Sequence, residues 1–245
     1  FFSMKILVTG GAGFQGSHLA NALVKDGHTV TVVNTLTPEA ELNVPDLDPA
    51  VRVVFGSITD RVLVDKTVRG HDVVFHLAAN VNVDHSLKDP QAFVEVNVMG
   101  TCNVLEAVRE QGARMIHAST CEVYGDGHDL KAGELLSESS ALMPNSPYAA
   151  TKAGAERLCY SYYKSFGTPV TIVRPFNIFG ERQKSGTFGA LIAILVNRAL
   201  SGKSLTIFGD GSATRDFMNI NDLVDAYLLV LARDDLAGKT INFAS

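Results

Sequence analysis

The sequence predicts an α/β fold, a Rossmann-like doubly wound parallel sheet with helices on both faces, followed by a smaller C-terminal lobe. Three observations predict it. Strand-like and helix-like stretches alternate five times between Lys5 and Ser119. The strands are short and almost continuously apolar, as strands covered by helices on both sides must be. A glycine-rich turn joins the first strand to the first helix, where such sheets hold phosphates. The expected division is residues 4–175 for the sheet domain, with the catalytic residues, and 176–245 for a smaller substrate-binding lobe mixed with segments that return to the sheet domain.

The chain has 245 residues, 46% of them hydrophobic, enough to bury a sizeable core. No run approaches the ~18 apolar residues of a membrane span, and no charged-then-apolar leader is present, so no membrane association and a cytoplasmic location are expected. The net charge of -5 without basic clusters argues against a nucleic-acid partner. Cys102, Cys121 and Cys159 lack metal or redox spacing, which fits a reducing compartment. The seven histidines are scattered, so no metal site is expected. Phe1, Phe2 and Ser3 precede Met4 and read as foreign to the natural start.

Lys5 to Thr9 is the first strand, followed by Gly10-Gly-Ala-Gly13-Phe14-Gln15-Gly16 and a helix from Ser17 to Asp26. Glycines at 10, 13 and 16 suit a tight turn, close backbone approach to a pyrophosphate and close helix packing. The helix N-terminus offers free N–H groups to the phosphates. A second strand, Thr29 to Val33, ends at Asn34, where an acid would grip the adenosine ribose. Asn34 can make a weaker, neutral contact there. Thr35, Leu36 and Thr37 supply no Arg for a 2′-phosphate, so NAD is expected over NADP. Pro38 to Pro49 reads as a solvated loop.

The third strand, Val51 to Phe55, leads to Ser57 and Ile58, which either border the adenine or cap the helix starting near Asp60. Asp72 to His76 is the fourth strand, and small residues in Leu77-Ala78-Ala79 let the backbone run close to a flat ligand; His76 reads as a packed core histidine. Pro90 to Gln111 shows helical spacing around a polar Asn97, which either ties strand ends together or touches the cofactor. Arg114 to Ser119 is the fifth strand. Asp126 to Asn145 reads as connecting surface. Ser146 and Pro147 cap and open a helix running to Gly167. Tyr148 and Lys152 share one face of that helix, a turn apart. A phenol is a poor base at its usual pKa of about 10, and a neighbouring fixed cation favours the phenolate. Tyr148 is thereby a candidate proton acceptor from an alcohol. Val170 to Val173 is the sixth strand, Phe188 to Leu200 an amphipathic helix, and Asn221 and Asp222 read as caps of a helix from Leu223 to Ala232. The chain closes on a strand-like Ile241-Asn-Phe-Ala-Ser245.

Directly after the fifth strand stands Ser119-Thr120-Cys121-Glu122-Val-Tyr-Gly125. Together with the glycine turn, the Tyr148/Lys152 pair, Arg174-Pro-Phe176-Asn177-Ile-Phe-Gly180 and Gly209-Asp-Gly-Ser-Ala-Thr-Arg215-Asp-Phe217, it resembles the extended short-chain dehydrogenase/reductase family. Within it the chain is similar to the NAD-dependent nucleotide-sugar epimerases and dehydratases, from Lys5 to its end. The resemblance implies a homodimer through the two long helices and a C-terminal portion several tens of residues longer. It also implies a first step at sugar carbon 4: Tyr148, with Lys152 lowering its pKa and Thr120 bonding the same oxygen, takes the hydroxyl proton while hydride passes to NAD. Phe176 would border the nicotinamide, and Asn177 and Arg215 would bind the substrate diphosphate.

The residues after Thr120 decide the second step in this family. Dehydratases carry an acid for the leaving hydroxyl at carbon 6 and then a Glu that takes the proton from carbon 5. Here Cys121 replaces the first and Glu122 is kept. A thiol near its reference pKa of about 8.5 is protonated at neutral pH and can serve as the acid. The Thr-Cys-Glu run is similar to that of a 5,6-dehydratase acting on a UDP-sugar, and a 4-epimerase or UDP-glucuronate decarboxylase is the alternative. A non-catalytic nucleotide-binding protein is the more distant one. Two departures from the family, Gln15 for an apolar residue and Asn34 for the ribose-binding acid, place polar amides beside the expected pyrophosphate and ribose. Glu181 also stands where the family has Pro.

Overall fold

A computed structural model describes residues 3–126, 134–184, 190–207, 209–212 and 214–244. Chain order is β1 (Lys5–Thr9), α1 (Phe14–Lys25), β2 (Thr29–Asn34), α2 (Pro38–Asn43), β3 (Arg52–Phe55), α3 (Arg61–Val68) and β4 (Val73–His76). There follow α4 (Val83–Lys88), α5 (Pro90–Phe93), α6 (Thr101–Gln111), β5 (Arg114–Ala118), α7 (Pro147–Phe166) and β6 (Val170–Pro175). The rest is β7 (Asn177–Phe179), α8 (Leu191–Leu200), β8 (Phe217–Asn219), α9 (Ile220–Leu231) and β9 (Thr240–Phe243).

Seven strands form one parallel sheet in the order β3-β2-β1-β4-β5-β6-β9. Alternate residues of each strand serve opposite faces. Ile6 and Val8 join the core built with Leu19 and Leu23 of α1 and Leu223 and Tyr227 of α9. Leu7 joins the other, built with Val64 of α3, Val104 and Leu105 of α6 and Cys159 of α7. Each such large apolar side chain, taken fully out of water, contributes about 1.5–3 kcal/mol. The order reverses between β1 and β4, so the crevice at their carboxyl ends is where a ligand binds in an open sheet of this kind.

Past β6 the chain divides its contacts. β7 and β8 make a separate two-stranded parallel sheet. α9 packs on α1, and β9 pairs with β6 at the sheet's edge.

Several expectations need correction. Pro38–Asn43 is a helix, not a loop: Thr37 Oγ1 accepts from Ala40 N at 3.2 Å and Pro38 occupies the first turn, both helix-start signals. The first helix starts at Phe14, earlier than Ser17. The expected single helix from Pro90 to Gln111 contains a π-helical turn over Val94–Gly100. A short helix, α4, precedes it, capped by Asn82. α8 starts at Leu191, and Phe188 lies outside the described residues. The cap of α9 is Asn219, whose Oδ1 accepts from Asn221 N at 2.9 Å; Asn221 and Asp222 are already helical. Among the described residues no helix is long and apolar enough to cross a membrane.

Candidate active site

The glycine turn is shaped by its neighbours. Gly10 has φ +72, and a Cβ there would lie 2.8 Å from Ala78 N, so only glycine lets β1 end this close to the segment leaving β4. A Cβ on Gly16 would run into the Gly10 carbonyl, so α1 can sit on the turn only without one. Gly13 is the N-cap of α1 and brings no side chain to its first N–H groups, and no acid stands in the first turn. These donors and the positive end of α1 suit a pyrophosphate. Leu77, Ala78 and Ala79 line the adjoining crevice, partly exposed.

The polar residues expected around this cofactor cradle turn largely toward protein. Gln15 Oε1 accepts from the hydroxyl of Tyr227 at 3.2 Å, satisfying a phenol that is wholly buried against Phe75 and Phe243. Its amide therefore binds α1 to α9. Phe14 beside it packs edge-on against His18 at 6.0 Å. Asn34 Oδ1 accepts from Ala12 N at 3.3 Å and its Nδ2 donates to Thr35 O at 2.7 Å. Asn43 of α2 donates to Ala12 O at 3.0 Å, a support for the turn that a loop reading of Pro38–Pro49 misses. Ile58 is buried, with Gly100 shaped to receive it, and has little surface left for adenine. Ser57 is partly exposed and bonds Thr59 Oγ1 at 2.8 Å.

Of the two readings of Asn97, the tie is the one its amide makes. Oδ1 accepts from Asn80 N at 2.7 Å, while Nδ2 donates to Asn80 O at 2.9 Å and Thr151 Oγ1 at 3.0 Å. The π-helical turn carries this residue inward, joining the loop after β4 to α7. His76 is a core histidine, its ring nitrogens 2.7 Å from Thr9 Oγ1 and 2.9 Å from Thr101 Oγ1. Burial holds it neutral, its pKa lowered to about 3.

Thr120, Cys121, Glu122, Tyr148 and Lys152 come together at the carboxyl end of β5. Ser146 Oγ accepts from Ala149 N at 3.1 Å, and this cap with Pro147 fixes the start of α7 and so the height of Tyr148. The Thr120 hydroxyl accepts from Glu122 N at 3.2 Å and stands close enough to the Tyr148 phenol to favour its phenolate. A 3-10 turn over Cys121–Tyr124 presents Cys121 and Glu122 half-buried beside the phenol. Burial, then the Glu122 charge, push the Cys121 thiol up to about 12, so it is protonated at neutral pH.

Lys152 does not do in this arrangement what the spacing promised. Its ammonium, 3% exposed, donates to Ala118 O at 2.6 Å, and burial lowers its pKa to about 8. Burial raises the Tyr148 pKa above its ordinary value, opposed by the Thr120 hydroxyl and reinforced by Glu122 and Cys121. A helix turn brings the two side chains near one another, but the backbone carbonyl is the acceptor the ammonium takes.

Beside the β7–β8 sheet, Asn177 Nδ2 donates to Asp216 O at 2.9 Å, which brings it next to exposed Arg215. Arg215 is near enough for its charge to pull the Cys121 thiol downward. Phe176 packs toward Tyr124 at 6.5 Å, on a small cluster with Val123 and Ala153. Sequence reasoning missed the support beneath: Glu156, fully buried, holds Arg174 through Nε at 3.0 Å and Nη2 at 2.5 Å. The signal was present, because Tyr148, Lys152 and Glu156 follow one another at i, i+4 on one face. Among the described residues no group of three or more His, Cys, Asp or Glu could hold a metal ion.

The NAD dependent epimerase/dehydratase family profile matches residues 6–244. The chain is 38% identical over 245 residues to a dTDP-glucose 4,6-dehydratase of Mycobacterium tuberculosis, covering 99% of this chain and 72% of that one. It is 38% identical over 244 residues to a UDP-N-acetyl-alpha-D-glucosaminuronate decarboxylase of Bacillus cytotoxicus, covering 98% and 75%. A UDP-glucuronic acid 4-epimerase of Bacillus cereus, solved with UDP-glucuronic acid and NAD, superposes with a TM-score of 0.90 at 35% identity, over 99% of this chain and 78% of that one.

Proposed function

Because the chain belongs to the NAD-dependent epimerase/dehydratase family and acts on nucleotide sugars, we propose that it is a dehydratase of a UDP-sugar, working by transient oxidation at sugar carbon 4. The observation that carries this reading is the pairing of a protonated thiol, Cys121, with a carboxylate, Glu122, in one turn beside the Tyr148 phenol. Bound NAD would supply a hydride acceptor and return the hydride to carbon 4 after water has left carbons 5 and 6. Its pyrophosphate would lie on the N–H groups following Gly13, and Leu77 to Ala79 would border its flat rings.

In this reading Tyr148 takes the proton of the carbon 4 hydroxyl, with the Thr120 hydroxyl on the same oxygen. Lys152, held on Ala118 O by one of its three N–H donors, supplies the positive charge nearby. Glu122 then removes the proton at carbon 5, made acidic by the neighbouring ketone, and Cys121 gives its proton to the leaving hydroxyl at carbon 6. Arg215 holds the diphosphate, a role its several N–H donors suit, and Asn177 fixes the segment that carries it.

Decarboxylation and 4-epimerisation are the other outcomes a carbon 4 ketone allows, and equal 38% identity to a dehydratase and a decarboxylase keeps the former in play. The purified protein is incubated with UDP-glucose, UDP-N-acetylglucosamine, UDP-glucuronic acid and dTDP-glucose, and the products are weighed by mass spectrometry. A product lighter by one water supports dehydration. Loss of carbon dioxide, or an isomer of unchanged mass, overturns it in favour of decarboxylation or epimerisation.

The protein is further read as a homodimer, joined along exposed Val94 and Met99 of the π-helical turn and exposed Gly154 and Tyr160 of α7. A gel-filtration mass of one chain would overturn that. Its three free thiols suit the reducing cytoplasm.

A further inference from the structure

We infer that Tyr124 is a positioning residue for the second half of the reaction: its hydroxyl, gripped by the buried Arg174–Glu156 pair, sets where Cys121 and Glu122 stand against the sugar. The inference rests on the dehydratase reading. Tyr124 is the last residue of the 3-10 turn Cys121–Tyr124 and is 2% exposed. Arg174 Nη1 donates to its Oη at 2.5 Å, and the guanidinium carbon lies 4.7 Å from its ring centroid. The phenol in turn donates to Asn242 Oδ1 at 2.7 Å on β9, and Asn242 N donates to Glu138 Oε1 at 2.8 Å. Side chains from β6 and β9 thus meet on one oxygen, and Glu156 of α7 and Glu138 of the 134–146 connection hold those two partners in turn.

A side chain held at its tip by two partners cannot rotate or slide, so the turn it ends cannot either. The other end of the turn is fixed too: Thr120 Oγ1 accepts from Glu122 N, and Gly125 N donates to Glu122 O at 3.1 Å. Glu122 is therefore clamped between Thr120 and Tyr124. Tyr148 and Lys152 are placed by the cap that starts α7 and by the Ala118 carbonyl, and meet this clamp at the Thr120 hydroxyl and through Glu156 of α7, not at the Tyr124 oxygen. A buried ion pair is weak evidence for stability, and replacing one with apolar groups is often neutral. Here one of its donors is spent on orienting a residue two positions from the proposed base.

Tyr124→Phe removes the oxygen and keeps the ring. In single-turnover experiments on the NAD-loaded holoenzyme with the UDP-sugar that wild type consumes, absorbance follows the first step and quenched-flow mass spectrometry the product. The expected result is a first step within about twofold of wild type and a second step slowed about tenfold or more. Asn242→Ala, which frees the phenol from its other partner, is expected to shift the same ratio in the same direction. Equal slowing of both steps, or no change in either, in whichever variant folds, overturns the inference and leaves Tyr124 a packing residue. If wild type itself releases no dehydrated product, the functional reading fails. The ratio of first step to product release in Tyr124→Phe still scores the positioning inference separately.

Discussion

Replacing Lys152 by Met separates what the ammonium does for the reaction from what it does to the fold. Desolvation lowers the Lys152 pKa from 10.5 to about 8. At about 1.4 kcal/mol per unit, holding that charge in the folded protein costs about 3 kcal/mol at neutral pH. Met, of similar length and apolar, removes the cost but leaves Ala118 O without its donor, a loss of about 1–3 kcal/mol. The variant is therefore expected to be as stable as wild type at pH 7 or more stable by up to about 2 kcal/mol, worth about 2–4 °C in Tm per kcal/mol at this chain length. pH supplies the sharper test. Below about 8 both folded and unfolded chains bind the lysine proton, and the penalty is complete. Between about 8 and 10.5 the unfolded chain binds more protons, so wild-type stability rises with pH there while the variant lacks this contribution. From pH 7 to 9.5 the difference should move by about 2 kcal/mol in favour of wild type. Differential scanning fluorimetry across that range, paired with single-turnover oxidation, is the assay. The first step should fall by about a hundredfold or more in the variant. A variant that melts well below wild type at pH 7, or a difference that does not move with pH, would refute the assignment of Lys152 as a functional charge held against solvation.

Glu122→Gln should keep the first step and stop the second, so that substrate partly reduces bound NAD without releasing a lighter product; unaltered turnover would remove the dehydratase reading. Cys121→Ala should slow loss of the carbon 6 hydroxyl by about tenfold to a hundredfold while Cys121→Asp restores part of it, and an unchanged rate in Cys121→Ala would make the thiol mere packing. Gln15→Leu should lower stability by about 1–3 kcal/mol by orphaning the Tyr227 hydroxyl, yet leave NAD affinity by calorimetry nearly unchanged. A fall in affinity with unchanged stability would return Gln15 to the pyrophosphate. Acid should unfold the protein progressively below pH 6.5, because His76 stays neutral in the fold to about 3 and the unfolded chain binds its proton first. His76→Gln, able to bridge Thr9 and Thr101, should make that decline shallower in an acid titration followed by circular dichroism.

The parallel sheet and the glycine turn after its first strand were legible because both depend on local patterns. Apolar runs such as Ile6–Val8 and Val73–Phe75 can only be buried strands, and glycines at 10, 13 and 16 admit few alternatives. Ser146 before Pro147 announced the helix that carries Tyr148 and Lys152. Choices of partner were not legible. Gln15 finds a hydroxyl 212 residues away, and no local pattern tells its amide to turn from the phosphates toward Tyr227. Lys152 had a partner in sequence four residues earlier and takes a carbonyl of β5 instead, because the fold brings that carbonyl within 2.6 Å of the buried ammonium and a desolvated charge needs an acceptor. α2 was misread although Thr37-Pro38 signals a helix start, because prolines and acids nearby outweighed a cap in the reading. The buried Glu156–Arg174 pair joins a helix to the strand that follows it, and only their contact shows that the charges meet.

The central claim is that carbon 4 is oxidised and then reduced again around the chemistry of Glu122. The most direct measurement uses a UDP-sugar deuterated at carbon 4, with the position of the label in the product determined by nuclear magnetic resonance. Transient oxidation predicts a primary isotope effect on the first step and full retention of the label at carbon 4 of the product, returned from the cofactor. Release of the label to solvent, or a reaction indifferent to it, would contradict the claim.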